Sequence, residues 1–471
     1  MNRQKALVKN TIILAVGTFF PKFAIFITLP ILTAYMTQAE YGTYDLVITL
    51  VALLLPAATL QIQSAAFRFL IDTQKDEVEK KSIVSNIYGF IIPVSVVVLM
   101  ILFLLLRSQP AEIRLGICAY FLFDIIANAN RQIVRGLSKN QDYTISACIS
   151  SAGQILLIII LVLGLKTGLL GGVIALACAE FLSAVFLFFK SGIYRYLDMN
   201  AISRVKLKSL LSYSWPMVPN SLSQWVMNVS DRMIITLFMG VAANAIYAVA
   251  YKIPSILNFA QMTFNMAWQE NASIVSKDED AAAYYSAMFE VLFNIVAGFL
   301  AVLIGITPIL FKILVRGNYK AAYNQIPILY MGMLFFALSS FWGGIFVAYK
   351  KTKIVGTTTV CAAAINLAID LLTIRRIGIY AASISTLASY IVLCIFRIIG
   401  VQKLIKLHYN VRHIAAVLCV LILLCISCAQ QRFILDVINF AAGTAAACFL
   451  NSGIIKILFR KVLNVTSSPT Q

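Results

Sequence analysis

The residues best placed to do chemistry are charged and amide side chains set into otherwise apolar runs. Lys22, Arg68, Arg131, Arg232 and Lys252 lie within such runs or at their ends. A cation at mid-bilayer costs roughly 2.5–3.5 kcal/mol on insertion scales and usually marks a function. Arginine offers a planar fork that matches phosphate oxygens, and lysine a point charge. The set therefore suits an anionic, phosphate-bearing ligand as its substrate-binding residues. Asn220, Gln224 and Asn228 follow at helical spacing and lead into Asp231 and Arg232, while Asn258 and Asn265 stripe a second apolar run beside Lys252. These amides are expected to line a polar cavity. Asp124, Glu180 and Asp231 are the acids expected to bind a coupling ion, Asp124 and Glu180 being the deepest. Asp45 and Asp370 are further acids in apolar surroundings. The competing reading for each is a buried ion pair, and the adjacent Asp231 and Arg232 would form one. Arg397 sits close enough to a span end to snorkel.

Enzymatic chemistry finds few residues, and no catalytic site is expected. Asp278-Glu279-Asp280 has the shape of a metal-binding D-x-D, but it lies in a short loop and reads as acid at the start of the next helix. The chain has 2 histidines, His408 and His413, both in one loop, so general bases are scarce. No phosphate-cradling glycine loop is present. Cys425 and Cys428 have a redox spacing but sit inside an apolar run with no second pair, which excludes a strong metal reading. No metal and no cofactor is expected.

The elements that carry these residues must be membrane helices. Of 471 residues, 61% are hydrophobic and 12% charged, with a mean hydropathy of +0.89. A soluble domain is closer to half apolar and a quarter charged. A spanning helix needs roughly 20 apolar residues, and runs of that length recur without the alternation of a membrane strand. Spans fall near 11–34, 42–66, 83–106, 114–135, 144–165 and 169–190, then after a basic linker near 212–239, 243–270, 284–308, 323–349, 353–374 and 378–400. A last pair lies near 412–429 and 433–458. The first apolar run is too long for a signal peptide and has no small-residue cleavage site, so it reads as a retained span. With the N-terminus inside, the inner loops hold Lys and Arg over the outer ones by roughly three to one. Both termini are then cytoplasmic, and the net charge of +19 reflects sidedness rather than nucleic-acid binding.

The two halves repeat. Ser138-Lys139-Asn140-Gln141 precedes span five, and Lys350-Lys351-Thr352-Lys353 precedes span eleven about 212 residues later, as in parallel-repeat transporters. Gln154 matches Asn366 at the same offset, and Gly168 to Gly172 matches Gly378 to Ala382. Prolines such as Pro21, Pro56 and Pro254 supply bends within the spans. The fold expected is an all-α polytopic membrane protein of about 14 transmembrane helices in two pseudo-symmetric six-helix lobes plus a C-terminal pair. Its divisions are an N-lobe at 1–190, a cytoplasmic basic linker at 191–211, a C-lobe at 212–400, and the last two spans with a cytoplasmic tail at 401–471.

Thr28 to Tyr35 followed by Glu40-Tyr-Gly-Thr-Tyr44 resembles the opening hairpin of the polysaccharide-biosynthesis and O-antigen flippases. Asn228 to Arg232 with Ala245 to Lys252 is similar to their central segment, and Arg135-Gly-Leu-Ser-Lys-Asn140 to the loop after their fourth span. These families share a superfamily with multidrug exporters. The resemblance implies alternating access and a substrate that is an undecaprenyl-pyrophosphate-linked oligosaccharide, an O-antigen or capsule repeat unit. It implies a bacterial cytoplasmic membrane, surrounding membrane lipids, and the glycan polymerase and glycosyltransferases of the pathway as partners. The basic cavity residues it implies match Lys22, Arg68, Arg232 and Lys252, with Lys rather than Arg in span one. An inside-negative potential would help an anion outward by roughly 2.3 kcal/mol per charge per 100 mV, alongside or instead of a proton or sodium gradient. A drug or cation antiporter of the same fold is the alternative, and a membrane enzyme of glycan assembly a more remote one.

Overall fold

Hydropathy of this kind leaves the backbone no partner but itself, so the spanning segments must be helices. A computed structural model describes the backbone of residues 3–73 and 75–453, and among them there are helices and turns but no strand. Among the described residues ten helices, against the 14 expected, are long and apolar enough to cross a membrane, and Phe19–Tyr35 adds a shorter apolar stretch. Each expected span coincides with a helix or with two helices in succession, and the end of span fourteen with the tail lies outside the described residues.

One compact unit comprises Met1–Ala245 with Leu314–Gly317. It holds α1 (Arg3–Tyr35), α2 (Gln38–Thr59), α3 (Ile62–Asp72), α4 (Glu77–Leu105), α5 (Ala111–Gly136), α6 (Asn140–Leu157), α7 (Gly168–Lys190), α8 (Arg204–Ser214), α9 (Met217–Met239) and the start of α10 (Val241–Lys252). The second unit comprises Ile246–Ile313 with Asn318–Gln471. It holds the rest of α10, then α11 (Ile256–Val275), α12 (Ala281–Leu314), α13 (Lys320–Tyr323), α14 (Ile326–Ala348), α15 (Thr352–Ile377), α16 (Tyr380–Leu404), α17 (Val411–Ala429) and α18 (Phe433–Leu450). Span counting put α9 in the second six, whereas its contacts group it with the first unit.

Two expected spans are interrupted. Span two breaks between α2 and α3, where Leu60 and Gln61 take φ of 46° and 57°. Pro56 weakens the ladder before the break, and the Gln61 side-chain carbonyl accepts from Gln63 and Ser64 beyond it. Span eight breaks between α10 and α11 at Pro254. There the Ser255 hydroxyl donates to the Lys252 carbonyl at 2.6 Å, replacing a helical bond.

The repeat is visible in the turns. After α5, Ser138 has φ 62° and the Lys139 amide donates to Val134; after α14, Lys350 has φ 57° and the Lys351 amide donates to Phe346. Gly168 and Gly378 then open α7 and α16 with φ of 57° and 61°. The first copy runs α6 on into a π-helical turn, Ile158–Gly164, which absorbs extra residues that the continuous α15 lacks.

The linker expected at 191–211 is a folded strap. It forms two short 3-10 turns, Ile193–Tyr196 and Met199–Ala201, and then α8. Hydrogen bonds fasten it to α4: Ser82 Oγ and Asn86 Nδ2 donate to the Ala201 carbonyl, and Ser85 Oγ donates to that of Tyr196. The Asp198 and Ser203 amides return donors to Ser85 and Asn86.

Candidate functional site

Many residues of the family-like segments prove to be packing devices. Thr37 and Glu40 form a capping box at the start of α2, and Glu40 also accepts from the Leu169 amide at 3.3 Å. A Cβ on Gly42 would come 1.8 Å from the Val241 carbonyl oxygen, and one on Gly172 would strike Met36 and Tyr44. Only glycine lets these helices approach so closely.

The charged residues divide between two clusters of the first unit and isolated positions. On α9, Arg232 Nη1 lies 3.0 and 3.1 Å from the carboxylate oxygens of Asp45 on α2. Asp45 is buried, and Arg232 nearly so. Two further bonds follow the same line of contact: Trp225 Nε1 donates to the Thr49 carbonyl at 3.0 Å, and Gln61 Nε2 donates to Ser221 Oγ at 3.0 Å. Ser221, Trp225 and Arg232 share one face of α9, whereas Gln224 is exposed and Asp231 buried on a neighbouring face. Asp45 on α2, rather than a residue of α9 itself, supplies the carboxylate in direct contact with the Arg232 guanidinium. The Asn220 and Asn228 side chains lie outside the described residues.

The second cluster joins α5, α6 and α7. Arg131 Nη2 donates to Glu180 Oε2 at 2.6 Å and to Ser183 Oγ at 3.1 Å. Ser150 donates to the other Glu180 oxygen at 2.7 Å, and Ser146 and Ser183 hydroxyls meet at 3.1 Å. Asp124 lies two turns before Arg131 on α5 and interacts electrostatically with both Glu180 and Arg131. Sequence reasoning listed these three residues separately, and the helices bring them together.

The remaining expected site residues are dispersed. Arg68 on α3 is exposed and pairs with Asp72 at 2.8 Å. Lys22 is half-buried on α1 beside Pro21, and Lys252 is half-buried at the break before α11. Asn258 and Asn265 are half-buried on α11. In the second unit Asp370 is fully buried and accepts from Ser385 at 2.7 Å, and Asn366 donates to the same hydroxyl. Arg397 does not snorkel. It is 5% exposed and donates to the Ser339 carbonyl and to Thr358 and Thr359, with no carboxylate in salt-bridge reach among the described residues. Its neighbours on α14 and α15 offer enough oxygens to hold the guanidinium inside.

No group of three or more metal-ligating side chains occurs among the described residues. Asp278, Glu279 and Asp280 are exposed and immediately precede α12. His413 hydrogen-bonds Asn294, and Cys428 meets the Tyr323 hydroxyl within the packed core.

Residues 7–270 match the family described as polysaccharide biosynthesis protein. An uncharacterized membrane protein of Methanocaldococcus jannaschii is 26% identical over 208 residues, 43% of this chain; the match spans 41% of that protein's length. Among solved structures, the lipid II flippase MurJ in an inward closed conformation is similar with a TM-score of 0.70 at 13% identity, covering 95% of this chain and all of the other. An inward-facing multidrug resistance MATE family transporter of the MOP superfamily gives 0.67 at 13% identity over 83% and 98% of the two chains. At these identities the likeness establishes the multi-pass architecture.

Proposed function

The chain belongs to the polysaccharide biosynthesis protein family, and from that premise we propose that it flips an undecaprenyl-pyrophosphate-linked oligosaccharide, an O-antigen or capsule repeat unit, by alternating access. The cargo would pass from the cytoplasmic to the outer leaflet of a bacterial cytoplasmic membrane, with both termini cytoplasmic. The observation that carries this reading is that the basic residues expected to bind the cargo, Lys22, Arg68, Arg131, Arg232 and Lys252, all lie inside the matched residues 7–270. A lipid II flippase among the structural neighbours supports it at the level of fold.

Arg232 has the geometry of an exchangeable partner. Its Nη1 is engaged by both oxygens of the Asp45 carboxylate, a group that shares with phosphate its negative charge and its role as acceptor. A pyrophosphate that displaces Asp45 would take over the guanidinium while freeing α9 from α2. Asp124, Glu180 and Arg131 form the coupling site on this reading, where a proton or sodium ion competes with the guanidinium for carboxylate. The buried acids also favour a second reading, a cation antiporter of the same fold, but the Arg131 counter-charge makes that cluster a poor home for an organic cation.

The test is transport of an undecaprenyl-pyrophosphate oligosaccharide in proteoliposomes, comparing the wild-type chain with Lys22→Ala and Arg232→Ala at matched folding. Loss of movement in both variants is expected. Unchanged movement in both would discard the cationic site, and no movement of several glycans by the wild type would favour the antiporter.

A further inference from the structure

The strap after α7 lies over a cavity of about 430 Å³ on α4, within the range of small-molecule sites. Its walls are Gly89, Ile92 and Pro93 from α4 and Leu197, Met199 and Ile202 from the strap. The strap is apolar beyond the cavity as well, with Val205 81% exposed and Tyr194 exposed, and two of the walls, Met199 at 83% and Leu197, are themselves exposed. Residues of this kind on an element fastened to a membrane helix sit at the hydrocarbon boundary, not in water.

The charge on the strap and on the helix ends that adjoin it in sequence is mostly positive. Two of the acids nearby pair with lysines, Glu77 with Lys80 and Glu79 with Lys206, while Asp198, in the cavity wall, caps the Asn200 amide with no cation in salt-bridge reach among the described residues. Lys81, Lys190, Arg195, Arg204 and Lys208 are exposed and have no carboxylate in salt-bridge reach among the described residues. A mostly apolar slot under a strap that carries several unpaired cations has the chemistry of an anionic lipid site.

We propose that the strap and the cavity beneath it hold one anionic phospholipid, its phosphate on the strap's cations and an acyl chain against Gly89, Ile92 and Met199. The site belongs to the first unit alone, and none of the cationic residues assigned to the cargo lines the cavity. A resident lipid there ties the strap, and through it the end of α7 and the start of α8, to the leaflet the strap faces.

Native mass spectrometry of the full-length chain tests this, with dipalmitoyl phosphatidylglycerol or phosphatidylcholine added in turn and inorganic phosphate as competitor. One phosphatidylglycerol is expected to stay bound in preference to phosphatidylcholine. Arg195→Gln, Arg204→Gln and Lys208→Gln together should erode that preference by about fivefold for each charge removed. Gly89→Leu should lower retention of both lipids, because even a Cβ at this position meets Ile202 Cδ1 at 3.1 Å. Met199→Asp, at an exposed position, tests the slot again without burdening the fold. Equal retention of the two lipids by the wild type would overturn the proposal. So would loss on neutralising those cations with no effect of Gly89→Leu or Met199→Asp, which is diffuse attraction only. Displacement of the lipid by inorganic phosphate would likewise overturn it.

Discussion

The helix trios α5–α7 of the first unit and α14–α16 of the second have matching turns and different interiors. In the frame set by Ser138 and Lys350, Asp124 corresponds to Phe336 and Arg131 to Gly343. In the frame set by Gly168 and Gly378, Glu180 corresponds to Tyr390. Where the first unit holds two acids and an arginine, the second packs Phe336 against Tyr390 with ring centroids 4.8 Å apart. Its guanidinium comes from the third helix instead. Arg397 stands at the position of Leu187 and reaches toward Gly343, where a Cβ would lie 3.0 Å from Nη1. The same architecture therefore closes without the acid cluster. Packing of this architecture alone does not require Asp124, Arg131 and Glu180.

The sharpest break of this comparison transplants one interior into the other. Asp124→Phe, Arg131→Gly and Glu180→Tyr together should leave a folded chain whose glycan transport in proteoliposomes falls to the level of empty vesicles. Retained transport would reduce the cluster to a local packing solution. The single change Glu180→Leu should do more harm to stability than the triple, because it removes the carboxylate bonded to Arg131, a position only 16% exposed, and leaves Asp124 as its remaining counter-charge. Breaking a buried pair this way costs about 3–5 kcal/mol. Thermal unfolding in detergent measures it, and adding Arg131→Leu should restore most of the loss. A single-variant cost below about 1 kcal/mol would mean that the pair is screened like a surface bridge.

Arg397→Met should be milder, at about 1–2 kcal/mol in the same assay. It leaves no opposite charge behind, and Thr358 and Thr359 already donate to the Ile354 and Val355 carbonyls. A cost as large as that of Glu180→Leu would reveal a counter-charge and dissolve the contrast between the two interiors.

What the sequence made legible follows the same physics. Spans were readable because hydropathy is a sum over many residues, and the repeat because turns need particular residues at particular places. The break at Leu60–Gln61 was not, since no glycine marks it and its stabilising partners include Ser221 on α9. Asp45 and Arg232 were each visible as membrane charges, but their pairing depends on how α2 meets α9. The strap was visible only as basic composition, because Ser82, Ser85 and Asn86, which fasten it, are more than a hundred residues away and look like ordinary polar residues of a helix start.

The smallest effect examines the repeat itself. Ser138 and Lys350 hold left-handed backbone that costs an L-residue roughly 1–2 kcal/mol, and glycine would relieve it while losing about 0.5–1 kcal/mol to chain entropy. Ser138→Gly and Lys350→Gly should each stabilise by up to about 1 kcal/mol, with the same sign. Both residues lie at exposed turns, where the change burdens no buried packing. Equal shifts in unfolding temperature would support treating the two turns as one structural device used twice. Opposite signs would show that tertiary surroundings, not the shared backbone, set their energies, and the position-by-position correspondence of the two interiors would lose its anchor.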